Sequence, residues 1–400
     1  MPLPTLPRLP TNVWVLAVTQ AFGMSTVSMM ALVAGLLGTT LAPTPKLATL
    51  PTAMIVIGTA SSMLWVPFLL QAWGRKRGTL VGFAAAFLAC GLGAAAAVRG
   101  SFPLLLACGY GMGIGIAFWQ QLRFAALESV DDPQRYGTVL AVMMMGGLTS
   151  AFLGPEMGAL GRDLWPQAFA GSFLLVAGLL ALGLIAFQFF QEPPRQASTD
   201  RSEARPLRVI ARSPRFLIAA GSAAVGFAVM SFVMTATPIN MHELCGIELA
   251  DTKRVIQAHI IAMFAPSLAS SWLMSRFGLS RMMAMGAGMF GVVVLIGLLG
   301  QELMHFWGSL LLLGIGWNFL FVGGTALLPT CYRPSEKFKV QALNDVIVFS
   351  TQAIASLSAG WFLFSYGWNI MLFTCMPLVL AAWGLARWLR RVEDPQTRSA

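Results

Sequence analysis

The feature that most limits what this chain can become is a series of twelve apolar stretches, most of them near twenty residues long, following one another almost end to end. They cover residues 13–40, 47–70, 79–98, 102–122, 138–160, 166–190, 216–241, 255–274, 282–300, 306–328, 340–366 and 368–385. Crossing a hydrocarbon core of roughly 30 Å takes about 20 helical residues, and inside that core the backbone must satisfy its own hydrogen bonds. An all-α membrane protein with twelve transmembrane helices is therefore the expected fold class. Charge points the same way: only 10% of the 400 residues are Asp, Glu, Lys or Arg, against roughly 25% in a water-soluble domain. The first stretch is too long for the apolar core of a signal peptide and carries Thr19, Gln20, Ser25 and Thr26, so it is read as a retained helix.

A net charge of +10 suggests nucleic acid until its placement is considered. With the N-terminus inside, only Lys46, Arg99, Arg162, Lys253 and Arg254 fall in outer connections, leaving 21 of 26 basic residues on the inner side. That asymmetry is the positive-inside bias. It predicts a multi-pass protein of the plasma (inner) membrane with both termini cytoplasmic, in contact with lipid and not with nucleic acid. Trp14, Trp73, Trp165, Trp272, Trp307 and Trp388 stand near helix ends, where indole suits the headgroup layer. Five scattered cysteines and 23 methionines without interleaved ligand spacing predict no disulfide framework, metal site or cofactor. No nucleophile–base pair stands out, so an enzyme is not expected.

Residues 191–215 interrupt the apolar pattern with six arginines, three acids and four prolines. They are expected to link a six-helix bundle over 1–190 to a second over 216–400. Short matches recur at a spacing of about 200 residues, as expected of parallel repeats in alternating-access transporters. Met24-Ser25-Thr26-Val27 answers Met230-Ser231-Phe232-Val233, Gln71-Ala72-Trp73-Gly74 answers Ser275-Arg276-Phe277-Gly278, and Gly113-Ile114-Gly115 answers Gly314-Ile315-Gly316. Pro133 likewise answers Pro334.

On these features the chain resembles the major facilitator superfamily. The connection after the second stretch retains Gly74, Arg75, Lys76 and Arg77 of the superfamily's basic loop signature, with Gln71 where its acid is expected. The corresponding connection in the second half retains Arg276 and Gly278. Gly154-Pro155-Glu156-Met157-Gly158-Ala159 is similar to the G-P-x-x-G-G motif of proton-coupled drug and metabolite antiporters. Physically, Pro155 removes a backbone donor, while Gly154 and Gly158 let a neighbouring helix approach. The resemblance implies a secondary active transporter of a small organic molecule, proton-coupled and working as a monomer. Export is mildly preferred over uptake of a metabolite or vitamin-like compound. A non-transporting receptor or regulator on the same scaffold is the reading from another class.

Ionisable groups are costly inside a bilayer and mark substrate or proton paths. Within the apolar stretches they are Glu156, His259 and Asp345, the candidates for proton coupling. Each has a structural alternative: Glu156 paired with Arg162, His259 as a packing residue, Asp345 capping or paired with Arg333, Lys337 or Lys339. Asn344, Gln352, Ser356 and Ala359 extend a polar, small-residue face from Asp345. Gln20, Trp119, Gln120, Arg123, Asn240, Trp317 and Asn318 are candidate cavity residues, their amides able to orient a ligand and their indoles able to stack on a flat ring. For Arg123, snorkelling to the interface, pairing with Glu128 and binding an anionic substrate all remain open.

Overall fold

The computed structural model describes residues 9–130, 136–192 and 205–393. Its elements are helices: α1 Thr11–Leu41; α2 in two pieces, Leu50–Met63 and Val66–Trp73; α3 Arg75–Arg99; α4 Phe102–Glu128; α5 Tyr136–Leu160; and α6 Ala170–Gln188. The second half holds α7 Pro214–Ile239, α8 in pieces Leu249–Phe264 and Ser270–Phe277, α9 Leu279–Leu299 and α10 Leu303–Leu327. One helical stretch, Lys337–Phe373, turns sharply at Gly367 (φ 79°). It supplies α11 before the turn and the start of α12 after it, which continues as Met376–Glu393.

Several ends follow from local chemistry. Pro51, Pro67, Pro103 and Pro214 occupy first turns, where the missing N–H costs nothing. Ser213 caps α7 by accepting from the Phe216 N–H at 3.3 Å. Gly74 (φ 85°, ψ 160°) and Gly278 (φ 79°, ψ 157°) make the same left-handed break at the α2–α3 and α8–α9 corners.

Two expected helices are not continuous. The 47–70 stretch bends by 49° between Met63 and Val66, and the 255–274 stretch gives way to a 3-10 turn over Ala265–Ala269. Pro67 and Pro266 are the cause, since proline lacks the donor and crowds the carbonyl four residues back. Among the described residues, eight helices, or nine with the bent pair, are long and apolar enough to cross a membrane by themselves. The segmented α8, the 25-residue α5 and the division at Gly367 bring the arrangement into line with twelve.

Equivalent contacts recur in the two halves. A Cβ on Gly113 of α4 would collide with the α2 backbone at Ile55 and Thr59; one on Gly314 of α10 would meet α8 at His259 and Met263. Gly115 packs against Gly82 of α3 as Gly316 packs against Gly286 of α9. In α1 and α7, however, Gly23 packs on Trp119 and Gly226 on Leu320. Gly23 and Gly226 are thus the counterparts, which moves the Met24–Met230 match by about one turn and pairs Met24 with Phe227. Such a slip is easy because both helices are apolar on every side. Pro133 lies outside the described residues.

The halves meet along α2–α11, α5–α8 and α1–α7. Near the ends away from the Arg75–Arg77 corner, here called the far face, Gly360 donates its N–H to Thr49 Oγ1 at 3.0 Å. Lys253 reaches Glu156 at 2.9 Å, and Gly35 of α1 packs on Ile239 of α7. The opposite, basic face carries Arg75, Lys76, Arg77, Arg276 and Arg281.

Candidate functional site

The sequence-derived candidates fall into three structural settings. The first is the far-face junction. Glu156 accepts hydrogen bonds from Lys253 Nζ at 2.9 Å and Gln257 Nε2 at 3.2 Å, one turn apart on α8. Arg162 turns to Asp163 instead, at 3.9 Å, which corrects the expected Glu156–Arg162 pair. The geometry favours Lys253 because α5 and α8 run side by side, whereas Arg162 lies beyond the end of α5. Gly154 and Gly158 do allow close approach: a Cβ on Gly154 would sit 2.5 Å from Ser25 O, and one on Gly158 3.1 Å from a Val33 methyl. With Pro155, they make α5 a close partner of α1.

The second setting is the packed interior. His259, 1% exposed, places Nδ1 2.8 Å from Leu310 O and ties α8 to α10. Asn318 donates to Met263 O at 2.7 Å and Ser267 Oγ at 2.5 Å, holding the break in α8. Asn240 donates to Gln301 Oε1 at 3.1 Å in the π-helical end of α7. Trp119 is fully enclosed between Gly23 and Phe83, whose ring centroid is 4.6 Å away. These four were expected to serve coupling or a cavity; the structure gives them packing partners, while His259 Nε2 and Trp119 Nε1 are buried without a hydrogen-bond partner. From sequence, a mid-helix polar or indole group in either role looks the same.

The third setting is the region between the halves on the basic side of the junction, where α4, α10 and α11 bring their candidates. Arg123 of α4 and Asp345 of α11 lie within electrostatic reach of each other. Asp345 accepts from Asn344 Nδ2 at 3.1 Å. The expected Arg123–Glu128 pair does not form: Glu128 takes Arg75 of the basic loop in a bidentate pair, and Arg123 places its guanidinium 4.9 Å from the Phe124 ring centre. Arg123 Nε and Gln20 Oε1 are buried with no hydrogen-bond partner. Such atoms typically cost about 1–3 kcal/mol each unless water or ligand meets them. Gln120, Asn344 and Gln352 are half-buried around the same helices.

Beside this polar group lies an aromatic cluster that sequence reasoning found only in part. Trp317 of α10, 4% exposed, stacks on Phe321 at 4.9 Å and 13°. Phe227 of α7 meets Trp317 edge-on at 5.1 Å and Phe349 of α11 at 5.8 Å. Phe264, at the break in α8, completes the cluster and touches Gly147 of the first half. Phe349 stands one turn beyond Asp345 on the same face of α11.

At the basic face, Glu192 accepts from the Arg75 N–H at 2.6 Å and packs against Gly74. A carboxylate therefore stands at the positive end of α3 although Gln71 replaces the acid expected in the loop. Arg77 and Arg276 are both exposed at this face. Further along, Arg205 binds Glu336 through its backbone N–H (2.8 Å), Nε (2.9 Å) and Nη2 (2.7 Å). The Arg333 N–H adds a fourth donor at 2.8 Å. Glu336 is 1% exposed, and Arg205 beside it holds its carboxyl well below the usual carboxylate range. Neither Glu192 nor Glu336 had a local side-chain signal, since apart from the Arg333 N–H their partners come from distant segments.

A family model described as Major Facilitator Superfamily matches residues 13–265. The riboflavin transporter RfnT of Brucella anthropi is 36% identical over 377 residues, covering 92% of this chain and 93% of that protein. The MFS-type transporter YdeG of Bacillus subtilis is 28% identical, covering 87% of this chain and 85% of its own. Among solved structures, the human organic anion transporter TETRAN superposes with a TM-score of 0.68 at 15% identity, over 94% of this chain and 99% of the other. A bacterial homologue of the iron transporter ferroportin gives 0.66 at 16%, over 95% and 99%.

Proposed function

This chain belongs to the major facilitator superfamily, and we propose that it carries riboflavin, or a vitamin with a similar flat heteroaromatic ring and polar tail, into the cell by alternating access. The observation that carries this reading is the 36% identity to a riboflavin transporter along nearly the whole of both chains. The residues between the halves support it chemically, since a stacked aromatic cluster lies near the polar groups Arg123 and Gln20, which lack hydrogen-bond partners at Nε and Oε1. A vitamin substrate favours uptake over export. The export preference came from Gly154-Pro155 and Gly158, whose packing role between α5 and α1 suits either direction.

Alternating access is proposed to move the bundles over 1–190 and 216–400 about the 191–215 linker, with both termini cytoplasmic and one chain sufficient. Asp345 is proposed as the proton carrier: it is an acid between the halves and lies within electrostatic reach of Arg123. Protonation of Asp345 would remove the negative charge felt by Arg123 and leave the guanidinium to attract a ligand, and deprotonation would restore it. Glu156 belongs to the far-face junction, and His259 is held in the interior.

Purified protein in sealed vesicles, given labelled riboflavin and an inward proton gradient, tests this. Uphill accumulation that collapses with a protonophore is expected. Binding without flux would favour the receptor reading, and flux indifferent to the gradient would remove the proton.

A further inference from the structure

We propose that recognition is divided between the halves: the second half holds the ligand's flat ring and the first half its polar chain. This rests on the flavin reading above and specifies how the same region would meet it. Equivalent positions of the two halves carry different side chains. Gly113 and Gly314 occupy the same place against their neighbouring helices, which fixes the correspondence of α4 with α10. Ile116 then corresponds to Trp317, Gln120 to Phe321 and Arg123 to Gly324. Gly23 and Gly226 fix α1 against α7 in the same way, pairing Gln20 with Ala223 and Met24 with Phe227.

At three of these five positions, Gln20, Gln120 and Arg123, a polar residue of the first half stands opposite an apolar one of the second, while Ile116 and Met24 are aliphatic opposite Trp317 and Phe227. The first half offers amides and a guanidinium, with Gln20 Oε1 and Arg123 Nε lacking a protein partner. At these positions the second half offers aromatic rings or no side chain beyond a methyl, with Trp317 Nε1 its one polar atom among them and likewise without a hydrogen-bond partner; its other polar groups, Asn344, Asp345 and Gln352, stand on α11. Its Phe227, Phe321 and Phe349 are half-buried, so ring surface remains open beside Trp317. A pseudo-symmetric pair of bundles presenting like surfaces would suit a symmetric ligand; this one suits a molecule with a stacking end and a hydrogen-bonding end. Phe349, one turn from Asp345, joins the two surfaces.

Two probes separate the ends. Riboflavin carries the ring and the polyhydroxyl chain, whereas lumiflavin keeps the ring and replaces the chain by a methyl group. Binding of each to purified protein is read by quenching of flavin fluorescence, with thermal unfolding of every variant recorded alongside. Phe321→Leu and Phe227→Leu are expected to weaken both ligands by about tenfold. Gln120→Leu and Arg123→Lys are expected to weaken riboflavin by about tenfold and lumiflavin by less than about twofold. If variants of the first half that retain the parent unfolding temperature weaken both ligands alike, or if those of the second half spare lumiflavin, the division is wrong while the flavin reading stands. If the unaltered protein binds neither flavin, the flavin reading fails and the division fails with it.

Discussion

Glu156 of α5 and Lys253 of α8 form an ion pair at 2.9 Å across the two halves, and the position related to it by the internal repeat holds the Gly360–Thr49 hydrogen bond between α11 and α2. Thr49 corresponds to Lys253 and Gly360 to Glu156 at the same spacing along the chain. The junction is therefore built twice, once charged and once neutral. A partly exposed ion pair is worth little alone, but Gln257 adds a second donor to the carboxylate.

Weakening the charged copy should tip the halves toward opening at the far face. With Cys245 replaced by Ser, spin labels at Ala42 and Gly246 report the separation of far-face loops. In Glu156→Gln the long-distance population is expected to rise roughly fivefold, since a hydrogen bond to a charged group typically contributes about 1.5–3 kcal/mol when buried and less when half-exposed. An unchanged distance distribution would show that the pair does not hold the junction.

Gly154 should tolerate no side chain. A Cβ there would lie 2.5 Å from Ser25 O and from Ser28 Cβ, both on α1, so Gly154→Val is expected to cost about 1–3 kcal/mol by overpacking. Gly178 of α6 has open space around it, and Gly178→Ala should stay within about 0.5 kcal/mol. Thermal unfolding in one detergent compares them, and equal losses would contradict the α1–α5 approach.

The Arg205–Glu336 clamp should be insensitive to pH in the ordinary working range. A carboxyl whose folded value is depressed stabilises the fold above its unfolded value, near 4.3, and loses that contribution only as pH falls through the folded one. Tryptic cleavage after Arg208 should therefore run at the same slow rate from pH 6 to 8, once corrected for trypsin's own pH dependence. In Glu336→Gln it should rise roughly tenfold across that range as the charge-assisted bonds are lost. A rate that changes with pH in the parent protein would contradict this.

Much of the fold is written in the sequence because the bilayer sets one length for every span, and twelve apolar stretches state it directly. The breaks in α2 and α8 were also present as Pro67 and Pro266, whose effect depends on the carbonyl four residues back. The site was less legible. Glu156 could be marked as costly, but Lys253 lies in another half and reads locally as a loop charge. Trp119 and Trp317 sit alike in mid-helix, yet Gly23 encloses the first while Phe321 stacks on the second. The rings of Phe227, Phe321 and Phe349 carry no signal, because phenylalanine is equally at home facing lipid.

The last prediction concerns His259 and Asp345 together, since both were candidates for the proton. His259 ties α8 to α10 through Leu310 O at 2.8 Å. His259→Gln should lower stability by about 1 kcal/mol, as losing a buried hydrogen bond does, and leave the pH profile of transport in place. Asp345 lies between the halves within electrostatic reach of Arg123, and Asp345→Asn keeps size and hydrogen bonding while removing the titrating group. One proton moved down a 100 mV potential supplies about 2.3 kcal/mol, enough to sustain a concentration ratio of tens. In vesicles, Asp345→Asn should lose that accumulation while retaining exchange of labelled for unlabelled riboflavin at a measurable rate. If Asp345→Asn still drives uphill transport with the normal pH dependence and His259→Gln abolishes it, the carrier is the histidine. The 2.8 Å contact to Leu310 would then have to break in every cycle.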